Sequence, residues 1–294
     1  MSLTTEQTER TATGAAFDKA VPFDLRIADL WRAPLTDLPI RDELIRQYVP
    51  LTRALRLLEA GPGAGFASYR LARCVSVLTL LEVASGNAEA LASRFAANRI
   101  VRVVQDDLCR PQLGAEYAAE FDAIVCIEVL EFVADPATAL RNMAQMLRPG
   151  GRLSMQFPNY QTTIAPTFYS TRQEFESQLA QAGFAGWEIY SLQLSAWAQR
   201  LYALLHELPL RLYRRREQRR NRRPQSPQTY EQTWAFRQSA RLERLKLPLH
   251  LYWAAIMLLM RLGGDVFQRV KCDDEIYGKN LFVVAHAAKD GNTR

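Results

Sequence analysis

Between residues 41 and about 160 the chain repeats one pattern: a short apolar run, a turn, then a stretch of helical length. Strands that alternate with helices pack as a parallel sheet with helices on its faces, so this pattern excludes an all-α bundle and an all-β sandwich. The strands expected from it cover residues 54–58, 78–81, 100–104 and 121–127, and a fifth (RLSMQFP) follows the turn Pro149-Gly150-Gly151. Helices are expected over 67–73 and 87–96, among others. Residues 171–182 (TRQEFESQLAQA) read as an amphipathic helix ended by Gly183, the residue that most easily adopts the left-handed conformation past a helix end. Further strands are expected over 184–192 and 280–285.

Composition matters once it is divided by region. Of 294 residues, 48% are hydrophobic, enough for a substantial core and too many for a chain disordered throughout. The four cysteines, Cys74, Cys109, Cys126 and Cys272, form no CxxC pair, which argues against a zinc site or disulfide framework and suits a reducing cytosol. Residues 1–20 lack a basic segment followed by an apolar one, so no secretory signal is expected there and the stretch reads as a flexible tail. Within residues 211–223, Arg211, Arg214, Arg215, Arg216, Arg219, Arg220, Arg222 and Arg223 face a single acid, Glu217. The formal charge of +6 is therefore concentrated in one segment of an otherwise near-neutral chain.

That segment lies inside a long stretch, residues 196–272, that separates the last two expected strands and contains Trp197, Trp234 and Trp253. It reads as an inserted helical subdomain. Its uncharged run over 247–260 (LPLHLYWAAIMLLM) is too short to span a bilayer, which needs about 20 residues. Such a run can serve as a buried lid helix or as a helix lying in a membrane interface, and the neighbouring arginines suit an anionic membrane surface. Arginine runs also bind nucleic acid, so an RNA substrate is an alternative, and a solvated basic loop is a third reading.

The residues that bear chemistry cluster at the ends of the expected strands. The first runs into Glu59-Ala60-Gly61-Pro62-Gly63-Ala64-Gly65, where glycines at alternate positions let backbone N–H groups approach a ligand closely. A dinucleotide fingerprint needs its third glycine at position 66, which is Phe66, and this disfavours hydride chemistry. Glu82 closes the second strand, where a carboxylate can accept from both hydroxyls of a ribose. Asp106, Asp107 and Leu108 follow the third. Glu128 ends the fourth, with Glu131 and Asp135 beyond it. A carboxylate such as Asp135 at the start of the next helix has a structural explanation in the helix dipole alone.

The series LLEAGPGAG, Glu82 after strand two, VVQDDL, FDAIVCIEVLEFVADP, LRPGGRLSMQFPN and FYSTRQEFESQLAQAGF resembles the class I S-adenosylmethionine-dependent methyltransferases, in the subgroup of ubiquinone-pathway and other small-molecule enzymes. NLFVVA resembles the family's final strand. The resemblance implies an α/β, Rossmann-like, doubly wound seven-stranded sheet with its last strand antiparallel, spanning 51–195 and 273–290, preceded by a helical extension over 21–50 and interrupted by the insertion over 196–272. It implies S-adenosyl-L-methionine as cofactor, with Glu59, Gly61, Gly63 and Gly65 around its methionine part and Glu82 on its ribose. Val83 would pack on the adenine, and Asp107 with the backbone of Leu108 would read the adenine edge. Asp107 is preferred because Asp106 stands where the family commonly has a small residue. Glu128 would face the cofactor's amino-acid end or the substrate.

Many family members have His where this chain has Phe132, and the histidines here are His206, His250 and His286, so the usual built-in base is absent. Methyl transfer from a sulfonium needs alignment and exclusion of water more than it needs a base. The expected reaction is in-line methyl transfer to a hydrophobic small molecule, a lipid or isoprenoid at the membrane face being the favoured class, with no metal. Glu128, Glu131, Tyr160 and Tyr169 are the candidate substrate-facing groups, although packing explains the tyrosines equally well and His286 reads as structural. A cytoplasmic enzyme, peripheral at the inner membrane face, follows from these expectations. The alternatives are an RNA methyltransferase that uses the arginine-rich insertion and a scaffold that binds the cofactor without turnover.

Overall fold

The computed structural model describes residues 44–63, 65–161, 166–204 and 262–289, together with positions 211, 215, 255, 258 and 259. The expected tail over 1–20, and most of the expected extension and insertion, lie outside the described residues.

In chain order the elements are β1 (Arg56–Ala60), α1 (Phe66–Leu71), β2 (Val77–Glu82), α2 (Ser85–Phe95), β3 (Val101–Gln105), α3 (Leu113–Glu116), β4 (Phe121–Ile127), α4 (Pro136–Met146), β5 (Leu147–Pro158), α5 (Arg172–Ala182), β6 (Phe184–Leu194), α6 (Ala196–Tyr202), β7 (Phe267–Lys271) and β8 (Asn280–Ala287), with a 3-10 turn at Leu130–Phe132. The strands join in one eight-stranded sheet, ordered β3-β2-β1-β4-β5-β8-β6-β7. Strands β1 to β5 pair in parallel, and β8 lies antiparallel between β5 and β6. Strand order reverses direction between β1 and β4, so the chain leaves these neighbours toward opposite faces and opens a crevice outside their carboxyl ends.

The local chemistry explains the boundaries. Asp135 caps α4 by accepting the Thr138 N–H at 3.0 Å, with Pro136 in the first helical turn, where its missing N–H costs nothing. Thr171 caps α5 through the Glu174 N–H at 3.2 Å, and Gly183, at φ 100°, ends it as expected. Between the sheet and helices α4 and α5 lie Phe121, Phe157 and Phe175, each fully buried, with Leu153, Met155 and Val283. Burying each such side chain contributes about 1.5–3 kcal/mol.

Strand β7 was not expected: residues 267–271 were assigned to the helical insertion. Only Phe267 of the strand is buried, so it carries no alternating pattern to read. Arg269 lies over the rings of Tyr48 and Tyr190, 5.0 and 4.9 Å from their centroids.

The chain divides into two compact units, of which the described part of the first covers 48–193 and 269–289. The described part of the second includes 44–47, 194–204 and 262–268. Within it the Ser195 N–H donates to the Val266 carbonyl at 2.8 Å, and the Trp197 indole packs so closely on Gly263 that a Cβ there would come within 2.8 Å of the ring. No helix among the described residues is long and apolar enough to cross a membrane.

Candidate functional site

The carboxyl ends of β1 to β5 bring the sequence-derived acids to one edge of the sheet. At the end of β1, Glu59 is 5% exposed and its Oε2 accepts the Ser68 hydroxyl of α1 at 2.6 Å, tying strand to helix across the glycine loop. The loop turns through left-handed conformations at Gly61 (φ 66°) and Gly63 (φ 53°). A Cβ on Gly61 would meet Val129 Cγ2 at 2.4 Å, so the loop lies directly against the exit of β4. A Cβ on Gly63 would meet nothing within 4 Å, and this opening is where a ligand can approach the backbone.

Glu82, at the tip of β2, is also 5% exposed. Its Oε2 accepts the Gly63 N–H at 3.1 Å and its Oε1 the Ala84 N–H at 3.0 Å. Burial raises its pKa, against the opposing effect of hydrogen bonds from Ala84, Gly63, Asn87 and Val83. These four donors fix the Glu82 carboxylate in one orientation at the tip of β2.

After β3 the two aspartates separate. Asp106 forms a two-pronged ion pair with Arg110, at 2.8 and 2.7 Å, and Arg110 also holds Glu116 at 2.6 Å. Asp107 instead accepts the Cys109 N–H at 2.8 Å through Oδ1. Asn142 of α4, 3% exposed, donates to the carbonyls of Leu108 and Arg110 at 2.8 and 3.0 Å and so fixes the loop that carries Asp107 and Leu108.

Glu128 leaves β4 at φ 53°, an uncommon value for a residue with a side chain, and its N–H donates to the Gln156 carbonyl at 2.7 Å. Glu131 is 2% exposed in the 3-10 turn, and its carbonyl accepts the Thr167 N–H at 3.2 Å. Asp135 serves the α4 cap, as its structural explanation required.

The two tyrosines part company. Tyr160 is 46% exposed just beyond β5. Tyr169 is 3% exposed, with its ring 4.4 Å from Phe175 and 6.1 Å from Phe157 by centroid, and its hydroxyl bonded to Gln178. Its contacts are those of a core residue, in keeping with the packing explanation offered beside the catalytic one. His286 is paired across the sheet with Arg152 of β5, four residues before Gln156. His206 and His250 lie outside the described residues. Ser68, Asn87, Val129 and Asn142 were missing from the sequence-derived site, because their parts depend on contacts that no local pattern encodes.

A family model described as "Methyltransferase domain" matches residues 58–155, which contain the glycine loop and the acids at the tips of β1 to β4. The ubiquinone biosynthesis O-methyltransferase of Xylella fastidiosa is 33% identical over 175 residues, covering 57% of this chain and 67% of that protein. Its namesake in Xanthomonas oryzae pv. oryzae is 30% identical over 194 residues, covering 63% of this chain and 78% of that protein. The chain belongs to the class I S-adenosylmethionine-dependent methyltransferases.

The same fold occurs in a Haemonchus contortus phosphoethanolamine N-methyltransferase solved with S-adenosyl-L-methionine, at a TM-score of 0.50 and 12% identity over 85% of this chain and 53% of that one. The methyl donor of this methyltransferase is S-adenosyl-L-methionine. The residues present suit that group. The space above Gly63 is open, and the strand-tip carboxylates are of the type that accepts from hydroxyl, amino and ammonium donors.

Proposed function

We propose that this methyltransferase acts on a hydrophobic small molecule, and that the strand-tip residues hold the donor in its family orientation. The observation that carries the reading is the joint hold of Gly63 and Ala84 on Glu82 beneath the open face of the glycine loop. In this reading Glu59, Gly61, Gly63 and Gly65 surround the methionine part, Glu82 accepts from the ribose and Val83 packs on the adenine. Asp107 with the backbone of Leu108 meets the adenine edge. The ion pair of Asp106 with Arg110 supports the choice of Asp107.

When bound, the donor supplies a methyl group on a sulfonium sulfur, which is already electrophilic. The protein's task is then to align the acceptor atom with that methyl and to keep water away, effects worth about 7–11 kcal/mol in favourable cases. Glu128, set by its strained backbone at the β4 exit beside the glycine loop, faces the amino-acid end or the acceptor. Phe132 replaces the usual His, so an amine, a carboxylate, an acidic phenol or an activated carbon is the expected acceptor.

The body of the enzyme is assigned to residues 51–195 and 273–290, with the insertion over 196–272 as a subdomain that meets an anionic membrane surface and admits a lipid or isoprenoid. Leu204, Leu258, Leu259 and Leu262 are each more than half exposed, and Arg211 and Arg215 are exposed as well. Exposed apolar side chains and exposed arginines are both groups that an anionic membrane surface can take up.

Calorimetric titration of S-adenosylmethionine and S-adenosylhomocysteine into the wild type and Glu82→Ala tests the donor site. Micromolar binding lost in the variant supports the assignment, and absence of binding by folded wild type overturns it. Co-sedimentation with phosphatidylglycerol vesicles, lost on deleting residues 211–223, supports the membrane reading. Steeply salt-dependent RNA binding with no vesicle binding favours the RNA alternative, and donor binding without turnover on any acceptor favours a scaffold.

A further inference from the structure

Beyond the donor site, the same edge of the sheet carries an arrangement that donor binding does not use. Asn159, directly after β5, is fully buried, and its side chain and backbone are all engaged. Its Nδ2 donates to the carbonyls of Tyr169 and Ile276, each at 2.8 Å, and its Oδ1 accepts the Tyr169 N–H at 2.7 Å. Its own N–H donates to the Lys279 carbonyl at 2.8 Å and its carbonyl accepts the Gly278 N–H at 2.7 Å. Two loops, residues 166–170 and 276–279, are thereby locked to the end of β5.

On this rigid frame sit three aromatic side chains. Tyr160 follows Asn159 and is 46% exposed, and Tyr277 precedes Gly278 and is 48% exposed. Phe168 meets Tyr277 edge to face, with centroids 5.5 Å apart and planes at 77°. Large aromatic side chains left half in water forgo burial energy that a packing role would collect. Held on fixed backbone, they can instead bind a flat partner with little loss of side-chain entropy. Lys279, the cation of the 276–279 loop, is ion-paired with Asp273. Tyr160 stands four residues beyond Gln156, whose carbonyl holds Glu128, a span of at most about 13 Å of chain.

We propose that Tyr160, Phe168 and Tyr277 are specificity-determining residues that stack on a planar aromatic portion of the methyl acceptor. The proposal rests on the methyl-transfer reading, because it takes the reacting atom to lie toward Glu128.

The test uses the full-length protein saturated with S-adenosylhomocysteine, which has no methyl group to transfer. Equilibrium dialysis compares 2-naphthol with decahydro-2-naphthol, which is saturated and presents no π face. Binding of 2-naphthol is expected to be about tenfold tighter, to weaken about three- to tenfold in Tyr160→Ala and in Tyr277→Ala, and to stay within about twofold in Tyr277→Phe, which keeps the ring. Affinity for S-adenosylhomocysteine, measured on the same samples, is expected to be unchanged in all variants. Equal binding of the two probes, no binding of 2-naphthol by the loaded wild type, or wild-type affinity in both alanine variants would overturn the rim. Failure of the wild type to bind S-adenosylhomocysteine would instead overturn the methyl-transfer reading on which the rim depends.

Discussion

The backbone N–H of Gly63 donates to Oε2 of Glu82 at 3.1 Å, so the glycine loop after β1 and the acid at the tip of β2 form one structural unit. The Ala84 N–H holds the other oxygen at 3.0 Å. Replacing the carboxylate by an amide removes the charge and turns a donor toward one of these two N–H groups. Glu82→Gln is expected to weaken S-adenosylmethionine binding by about 1.5–3 kcal/mol, the usual contribution of hydrogen bonds to a charged group, as read by calorimetry.

The pH dependence follows from the direction of the Glu82 shift, which burial drives upward. Accepting from ribose hydroxyls favours the ionised form, so donor affinity is expected to be level at neutral pH and to fall as pH drops through the raised pKa, earlier than an exposed glutamate would dictate. Stability moves in the opposite sense. A carboxyl whose folded pKa lies above its unfolded value carries its burial penalty in full above the folded pKa and is relieved of it as pH falls through that value. Titrations and thermal melts of wild type and Glu82→Gln across the acid range measure both trends.

Two glycines of the loop are expected to respond differently to alanine. At Gly61 the new Cβ meets Val129 at 2.4 Å on a left-handed backbone, so Gly61→Ala combines a clash with strain and is expected to cost at least about 2 kcal/mol of stability. Gly63→Ala has the strain without the clash, and its methyl group enters the open space. It is expected to lose about 1–2 kcal/mol of stability and proportionately more donor affinity. Paired denaturant melts and titrations separate the two.

Asn159→Ala leaves the buried N–H and carbonyl of Tyr169 and the carbonyl of Ile276 without the partner they have now. At about 1–3 kcal/mol for each unsatisfied group, with partial relaxation, a loss of about 3–5 kcal/mol is expected in urea denaturation.

Tyr169→Phe tests whether that residue serves the core or the reaction. Its hydroxyl is bonded to Gln178 and its ring is packed on Phe175, so the variant is expected to lose about 1 kcal/mol of stability and to keep kcat within about twofold. A loss of kcat of a hundredfold or more with stability intact would return Tyr169 to the reacting centre.

Much of the sheet was legible beforehand because each parallel strand is a short apolar run bounded by its own turn. The glycine loop and Glu82 lie within one βαβ unit, and each was legible as the end of its own strand, whereas the bond between them was not. Asp106 and Asp107 could not be separated on chemistry, since both are acids at a strand tip. Their difference arises from Arg110, which takes Asp106 into an ion pair. Tyr160 and Tyr169 likewise look alike as sequence, but one follows the end of β5 into solvent and the other turns back onto Phe157.

By itself the sequence determined strands β1 to β6 and β8, the turn chemistry between them and the position of each acid at the end of a strand. These depend on interactions within about 20 residues, where periodicity and capping leave a readable pattern. Only the tertiary structure decided that β8 enters between β5 and β6, that residues 267–271 add an edge strand, and that Asn159 reaches Ile276, 117 positions along the chain. Such pairings are selected when separate surfaces meet in one core, and the partner of a buried hydrogen-bonding group is not written in the residues beside it.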